Sequence, residues 1–173
     1  MGGEKMVSNN WKKVEYKVEK MLGGKRVPVS GRARGFKGDV EHPTYFIEVK
    51  YGTQIPKIVL KWHERLKFAE RIMGEDFLGF IVICRLEIPK KIKEWYEKTV
   101  KECLESKIPI LVMKPRNVRN EFVLWKIAGD YLFTTLKIFA EKAKENDEYF
   151  KKVKQKYYGA IDKIKLSRGD ING

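Results

Sequence analysis

The stretch Arg26-Val27-Pro28-Val29-Ser30-Gly31-Arg32-Ala33-Arg34-Gly35-Phe36-Lys37-Gly38-Asp39, followed after a short turn by Phe46-Ile47-Glu48-Val49-Lys50, decides how the chain is read. An apolar strand leads into a basic, glycine-rich loop. The loop leads into a hairpin with Glu41-His42-Pro43-Thr44 at its turn. Successive strand side chains point to opposite faces, so Glu48 and Lys50 share one face and Val49 points the other way. The strand presents a carboxylate and an ammonium side by side while its other face packs into a core. Asp39 lies one hairpin upstream, where it and Glu48 can converge on one divalent cation. Magnesium takes oxygen ligands, commonly one or two carboxylates with water and phosphate. Lys50 would stand beside the attacking water, an arrangement suited to phosphodiester hydrolysis.

Upstream, Ser8, Asn9 or Asn10 can cap a helix that runs to about Leu22 and ends at Gly23-Gly24. Trp11, Val14, Val18, Met21 and Leu22 form its apolar stripe. At roughly 100° per residue, Glu15 falls at the rim of this stripe and Glu19 turns toward solvent. Lys25–Ser30 reads as the first strand, with Val27 and Val29 inward and Pro28 placing it at an edge. In the loop, glycines permit close backbone approach. The forks of Arg32 and Arg34, with Lys37, suit phosphate oxygens. Ser30 either bonds a phosphate or caps the loop.

The ordered set of Glu15 on the helix, Arg26 and Ser30-Gly31 in strand and loop, Asp39, and Glu48-Val49-Lys50 resembles the PD-(D/E)XK nuclease superfamily. Within it, the run is similar to the archaeal and phage-type Holliday junction resolvases. The resemblance covers about residues 10–51, and Gly38 stands where the family carries a proline. It implies an α/β fold with a restriction-endonuclease-like core, a central mixed sheet flanked by helices. It implies Mg2+ or Mn2+ held by Asp39 and Glu48 with help from the Val49 carbonyl. Lys50 would orient or activate the attacking water, and Glu15 would complete the acidic site directly or through water. Arg26, Ser30, Arg32, Arg34 and Lys37 would contact nucleic acid, and Gln54 sits where many members carry a further polar site residue. The implied partner is branched DNA. A homodimer is expected, because a junction needs two symmetric cuts.

The formal net charge of +14 over 173 residues is the footprint of a polyanion partner. Nucleic acid comes first and an acidic membrane surface second. No run of about 18 apolar residues exists to span a bilayer. The polar N-terminus carries no signal peptide, so a cytoplasmic protein is expected. Cys84 and Cys103 make neither a disulfide framework nor a zinc pattern and are expected to be buried thiols.

Past Gly52-Thr53, Pro56 opens a helix with Ile58, Val59, Trp62, Leu66, Ala69 and Met73 on its core face. Phe77–Leu86 is expected to be a buried strand, and Pro89 to start a helix facing inward through Ile92, Trp95 or Tyr96, Thr99 and Cys103. Ile108–Met113 and Phe122–Ile127 read as further strands, joined by a basic loop from Lys114 to Arg119. The nuclease core is expected over residues 10–127, with 53–87 a possible insertion. From Asp130 the chain reads as helical to about Tyr158, a C-terminal extension over residues 128–160 that packs on the domain or pairs two copies. Residues 1–9 and 167–173 are expected to be flexible. His42 is expected to be solvated in its turn.

The leading expectation is a metal-dependent DNA endonuclease, most specifically a four-way-junction resolvase. Its rivals are another repair, flap or restriction-type nuclease of the same chemistry and a non-catalytic nucleic-acid-binding module. Intact Asp39, Glu48 and Lys50 argue against the module.

Overall fold

The structure, a computed structural model, describes residues 10–27, 38–104 and 106–145. Helix α1 (Asn10–Leu22) is followed by strands β1 (Lys25–Arg26), β2 (Val40–Glu41) and β3 (Tyr45–Gly52). Helix α2 (Ile58–Met73), edge strand β4 (Ile81–Ile83) and helix α3 (Lys90–Glu102) come next. The chain then forms β5 (Ile108–Pro115), β6 (Phe122–Ile127), β7 (Asp130–Thr135) and α4 (Leu136–Glu145).

Among the described residues the strands form one mixed seven-stranded sheet in the order β1-β2-β3-β5-β6-β7-β4. β2 runs antiparallel to both of its neighbours, β1 and β3, whereas β3 and β5 run parallel from Tyr45↔Ile108 to Gly52↔Pro115. A parallel pair needs a crossover connection, and in this sheet helices cover both faces. Residues 53–107 make that crossover. Strand alternation divides the core accordingly. Ile47, Ile110, Val112, Val123, Trp125 and Leu132 pack with Val18 of α1 and Phe139 of α4. Leu111, Met113, Phe122, Leu124 and Phe133 pack on the other face with Trp62 of α2 and with Ile92 and Tyr96 of α3. No helix among the described residues is long and apolar enough to cross a membrane.

The expected helix from Asp130 and the extension beginning at 128 are corrected: Asp130–Thr135 is a strand inside the sheet, and the helix starts at Leu136. Ala128 (φ 50°) and Gly129 (φ 87°) make the two-residue turn between β6 and β7, with Ile127 paired to Asp130. That turn needs positive φ at both central residues. Ala-Gly is a weak advertisement of it compared with Asn-Gly. Leu132 and Leu136 stand four apart as on a helix, but every residue from Tyr131 to Thr135 is buried, so neither period stands out. Residues 146–160, the rest of that expected helix, lie outside the described residues, as do the termini expected to be flexible.

The expected buried strand Phe77–Leu86 shrinks to Ile81–Ile83, with Gly79 in the left-handed region (φ 90°) ahead of it. This strand closes the sheet at its β7 edge, where only one side can be paired. Ile81 and Ile83 face the core shared with α2 and α3, whereas Val82, on the opposite face, and Leu86, past the end of the strand, are exposed. Cys84 is exposed and Cys103 half-buried, not the buried thiols expected, because the run around Cys84 leaves the sheet immediately after Ile83. The unit formed by α2 and β4 extends the sheet at the end far from β1.

Two substitutions test this architecture. Ala128→Asn, which relieves a non-glycine left-handed residue, should raise unfolding stability by about 0.5–1 kcal/mol. Leu124→Ala, at a fully buried site between strands, should lower it by about 2–5 kcal/mol. Denaturant unfolding measures both.

Candidate functional site

Asp39 precedes β2 and is 7% exposed. Its backbone N–H donates to the Ile47 carbonyl at 2.9 Å, and its Oδ2 accepts the Val49 N–H at 2.7 Å. Asp39 thus brackets Glu48 on the neighbouring strand. Within a strand, a residue's N–H and C=O project toward the same neighbour. Because the Val49 N–H is directed at Asp39, the Val49 carbonyl faces the same β2-side edge. Val40 packs with the α1-side core, so alternation turns Asp39 toward the face that carries Glu48 and Lys50.

Lys50 Nζ lies 3.0 Å from Glu48 Oε1, and both side chains are largely withdrawn from solvent. The expected side-by-side carboxylate and ammonium is therefore realised as an ion pair within one strand. The same ammonium stands 5.8 Å from the ring centroid of Trp95 on α3, and Lys91 reaches that ring at 5.6 Å. Trp95 forms a platform that an ammonium favours through the negative face of the ring. The sequence placed Trp95 among core residues; only the packing of α3 over β3 and β5 reveals it beside Lys50.

Glu15 is 4% exposed on α1, between Val14 and Val18, on the side of the helix that packs against β3. Among the described residues no group of three or more His, Cys, Asp or Glu gathers around one possible ion position. Glu15, Asp39 and Glu48 therefore do not form a three-carboxylate cage. Two carboxylates and one carbonyl still suit a magnesium ion that keeps several waters.

Nearby, Glu121, just before β6, was not singled out in the sequence. It is 6% exposed, and both its oxygens accept from Lys17 Nζ at 2.8 Å, fastening α1 to the sheet. Removing Lys17 would strand a buried carboxylate. Burial holds the Lys114 ammonium below its ordinary pKa, opposed by Glu121 and reinforced by Lys17. Only the coincidence of an acid after a basic loop could have hinted at this cluster.

Arg26 is exposed, and its backbone N–H donates to Glu19 Oε2 at 3.2 Å. Gln54 is exposed in the turn after β3, with no hydrogen bond among the described residues. Ser30, Arg32, Arg34 and Lys37 lie outside the described residues. His42 is not a solvated turn residue. Its Nδ1 accepts the N–H groups of Thr44 and Tyr45, and its Nε2 bonds the Leu22 carbonyl at 2.9 Å. It latches the hairpin to the end of α1 as a neutral imidazole protonated on Nε2. Burial lowers its pKa from the usual 6.5, with the Leu22 bond opposing and Lys107 reinforcing.

Comparison with protein-family models, with curated proteins and with solved structures finds no match for this chain.

Below pH 6.5 the unfolded His42 takes up a proton that the folded imidazole still excludes. The unfolded state then binds more protons, so stability is lost as pH falls and levels off once the folded ring is also charged. His63 is shifted in the same direction by burial and Lys67. Denaturant unfolding at pH values from neutral to mildly acidic should show this loss. His42→Asn should reduce its slope without abolishing it.

Proposed function

We propose that the chain is a metal-dependent DNA endonuclease with a PD-(D/E)XK site, acting on four-way junctions as a homodimer. One observation carries the reading: Asp39 and Glu48 lie on adjoining strands, Asp39 is hydrogen-bonded to Val49, and Lys50 stands against Glu48. The order helix, three antiparallel strands, crossover helix and a strand parallel to the third supports a restriction-endonuclease-like core. The net charge of +14 supports a nucleic-acid substrate.

Asp39, Glu48 and the Val49 carbonyl would hold Mg2+ or Mn2+, an all-oxygen set that suits a hard cation. Such an ion, when bound, polarises the phosphoryl oxygen and lowers the pKa of the attacking water. Lys50, steered by Glu48 and the Trp95 ring, would orient that water and stabilise negative charge developing on the phosphate. The Val49 N–H holds the Asp39 carboxylate in position before substrate arrives. Glu15 would act from α1 through water.

The test is cleavage of a labelled four-way junction beside a matched linear duplex, with Mg2+ and with EDTA. Paired nicks across the junction that need the metal are expected. Glu48→Ala and Lys50→Ala should each slow cleavage by about 100-fold or more while retaining binding. Equal cutting of both substrates would leave a nuclease of another type. Tight binding without cutting under Mg2+ or Mn2+ would leave a binding module.

A further inference from the structure

The turn between β5 and β6 continues the site strand in space. Gly52, at the end of β3, pairs with Pro115, and the Arg116 N–H donates to the Gly52 carbonyl at 3.4 Å. The turn is also tied down along its length. The Val118 N–H donates to the Pro115 carbonyl at 3.3 Å, and the Lys114 ammonium donates to the Val118 carbonyl. Asn117 takes a left-handed conformation (φ 62°), and Asn120 meets His63 of α2 at 3.4 Å.

This fastened turn holds Arg116 and Arg119 at the surface. Neither makes an ion pair among the described residues, whereas Arg65, Lys67 and Lys17 each have a carboxylate. The acid adjoining the turn, Glu121, is buried and already gives both oxygens to Lys17. Two guanidinium forks on a constrained backbone, with no carboxylate paired to them among the described residues, match phosphate oxygens better than isolated lysines do. From Glu48 to Gly52 the strand advances four residues, about 13 Å, which equals roughly four nucleotides along a duplex.

We propose that Arg116 and Arg119 grip the phosphodiester backbone of a DNA duplex about four nucleotides from the bond cleaved at Asp39 and Glu48. The assignment rests on the nuclease reading for its register, and on the turn itself for the contact. The DNA footprint then extends on that side beyond the phosphates touched by the catalytic residues.

The experiment measures binding of a linear duplex and of a four-way junction in EDTA across a salt series. It compares the wild type, Arg116→Ala/Arg119→Ala, and the charge-matched control Lys13→Ala/Lys98→Ala. Phosphate ethylation interference accompanies it, with the cut bond mapped separately in Mg2+. The expected result is a salt slope shallower by about two for the arginine variant alone. Loss of interference about four nucleotides from the cut is expected with it. An unchanged slope and footprint overturn the inference even where the wild type cuts DNA. Binding of phosphatidylserine vesicles in place of DNA, lost in the arginine variant, also overturns it. A shallower slope in a protein that never cuts would remove the nuclease reading and leave the backbone contact standing.

Discussion

The parallel pairing of β3 with β5 is the constraint on which the other elements depend. Eight residue pairs run from Tyr45↔Ile108 to Gly52↔Pro115. Strands pointing the same way cannot be joined by a tight turn, so the chain must cross from one end of the sheet to the other. The crossover carries α2, β4 and α3, and α3 covers one face while α1 and α4 cover the other. Ile110, Leu111, Val112 and Met113 of β5 are fully buried as a result.

Within that buried pair, Glu48 and Lys50 are the exceptions to an apolar pattern. A charged pair so placed must be compensated by geometry. Lys50 meets Glu48 at 3.0 Å and lies over Trp95. Asp39 is more deeply buried and accepts a main-chain N–H. These charges are held at the β2 edge of β3, where the two-residue β2 stops and the ladder no longer occupies the strand. Among the described residues, the short partner strand leaves the Val49 carbonyl and the Asp39 carboxylate at a common edge of β3. The basic turn after Pro115 lies at the outgoing end of the same two strands, so an acidic centre and a cationic rim follow one after the other along β3.

Several features were plain in the residues and others were not. The helix ending before Gly23-Gly24, the Glu-x-Lys strand and the helices after Pro56 and Pro89 lie where spacing and punctuation put them. Each has a strong local signal: a cap, a break or an alternation. The β6–β7 hairpin had no such signal, because Ala128 adopts a conformation that its identity does not favour and β7 is buried on both faces. The apolar run around Ile81 misled in the opposite way. Its composition suits an interior strand, but the strand ends at Ile83, leaving Cys84 and Leu86 exposed beyond it and Val82 exposed on its outer face. His42 and Glu121 took their roles from α1, many residues distant in the chain.

Residue order was enough to fix which residue types stand at which alternation: a carboxylate and an ammonium on one face of β3, an aspartate one hairpin earlier, and a glutamate at the rim of a helical stripe. Those follow from periodicity, which is a local property of the backbone. Packing between distant elements is what brings the Asp39 carboxylate to the Val49 N–H, Trp95 against Lys50, Glu121 to Lys17 of α1, and Arg116 to the end of β3. Each of these depends on which strands and helices become neighbours. Neighbourhood is set by burying both faces of the sheet at once, a condition no single segment carries.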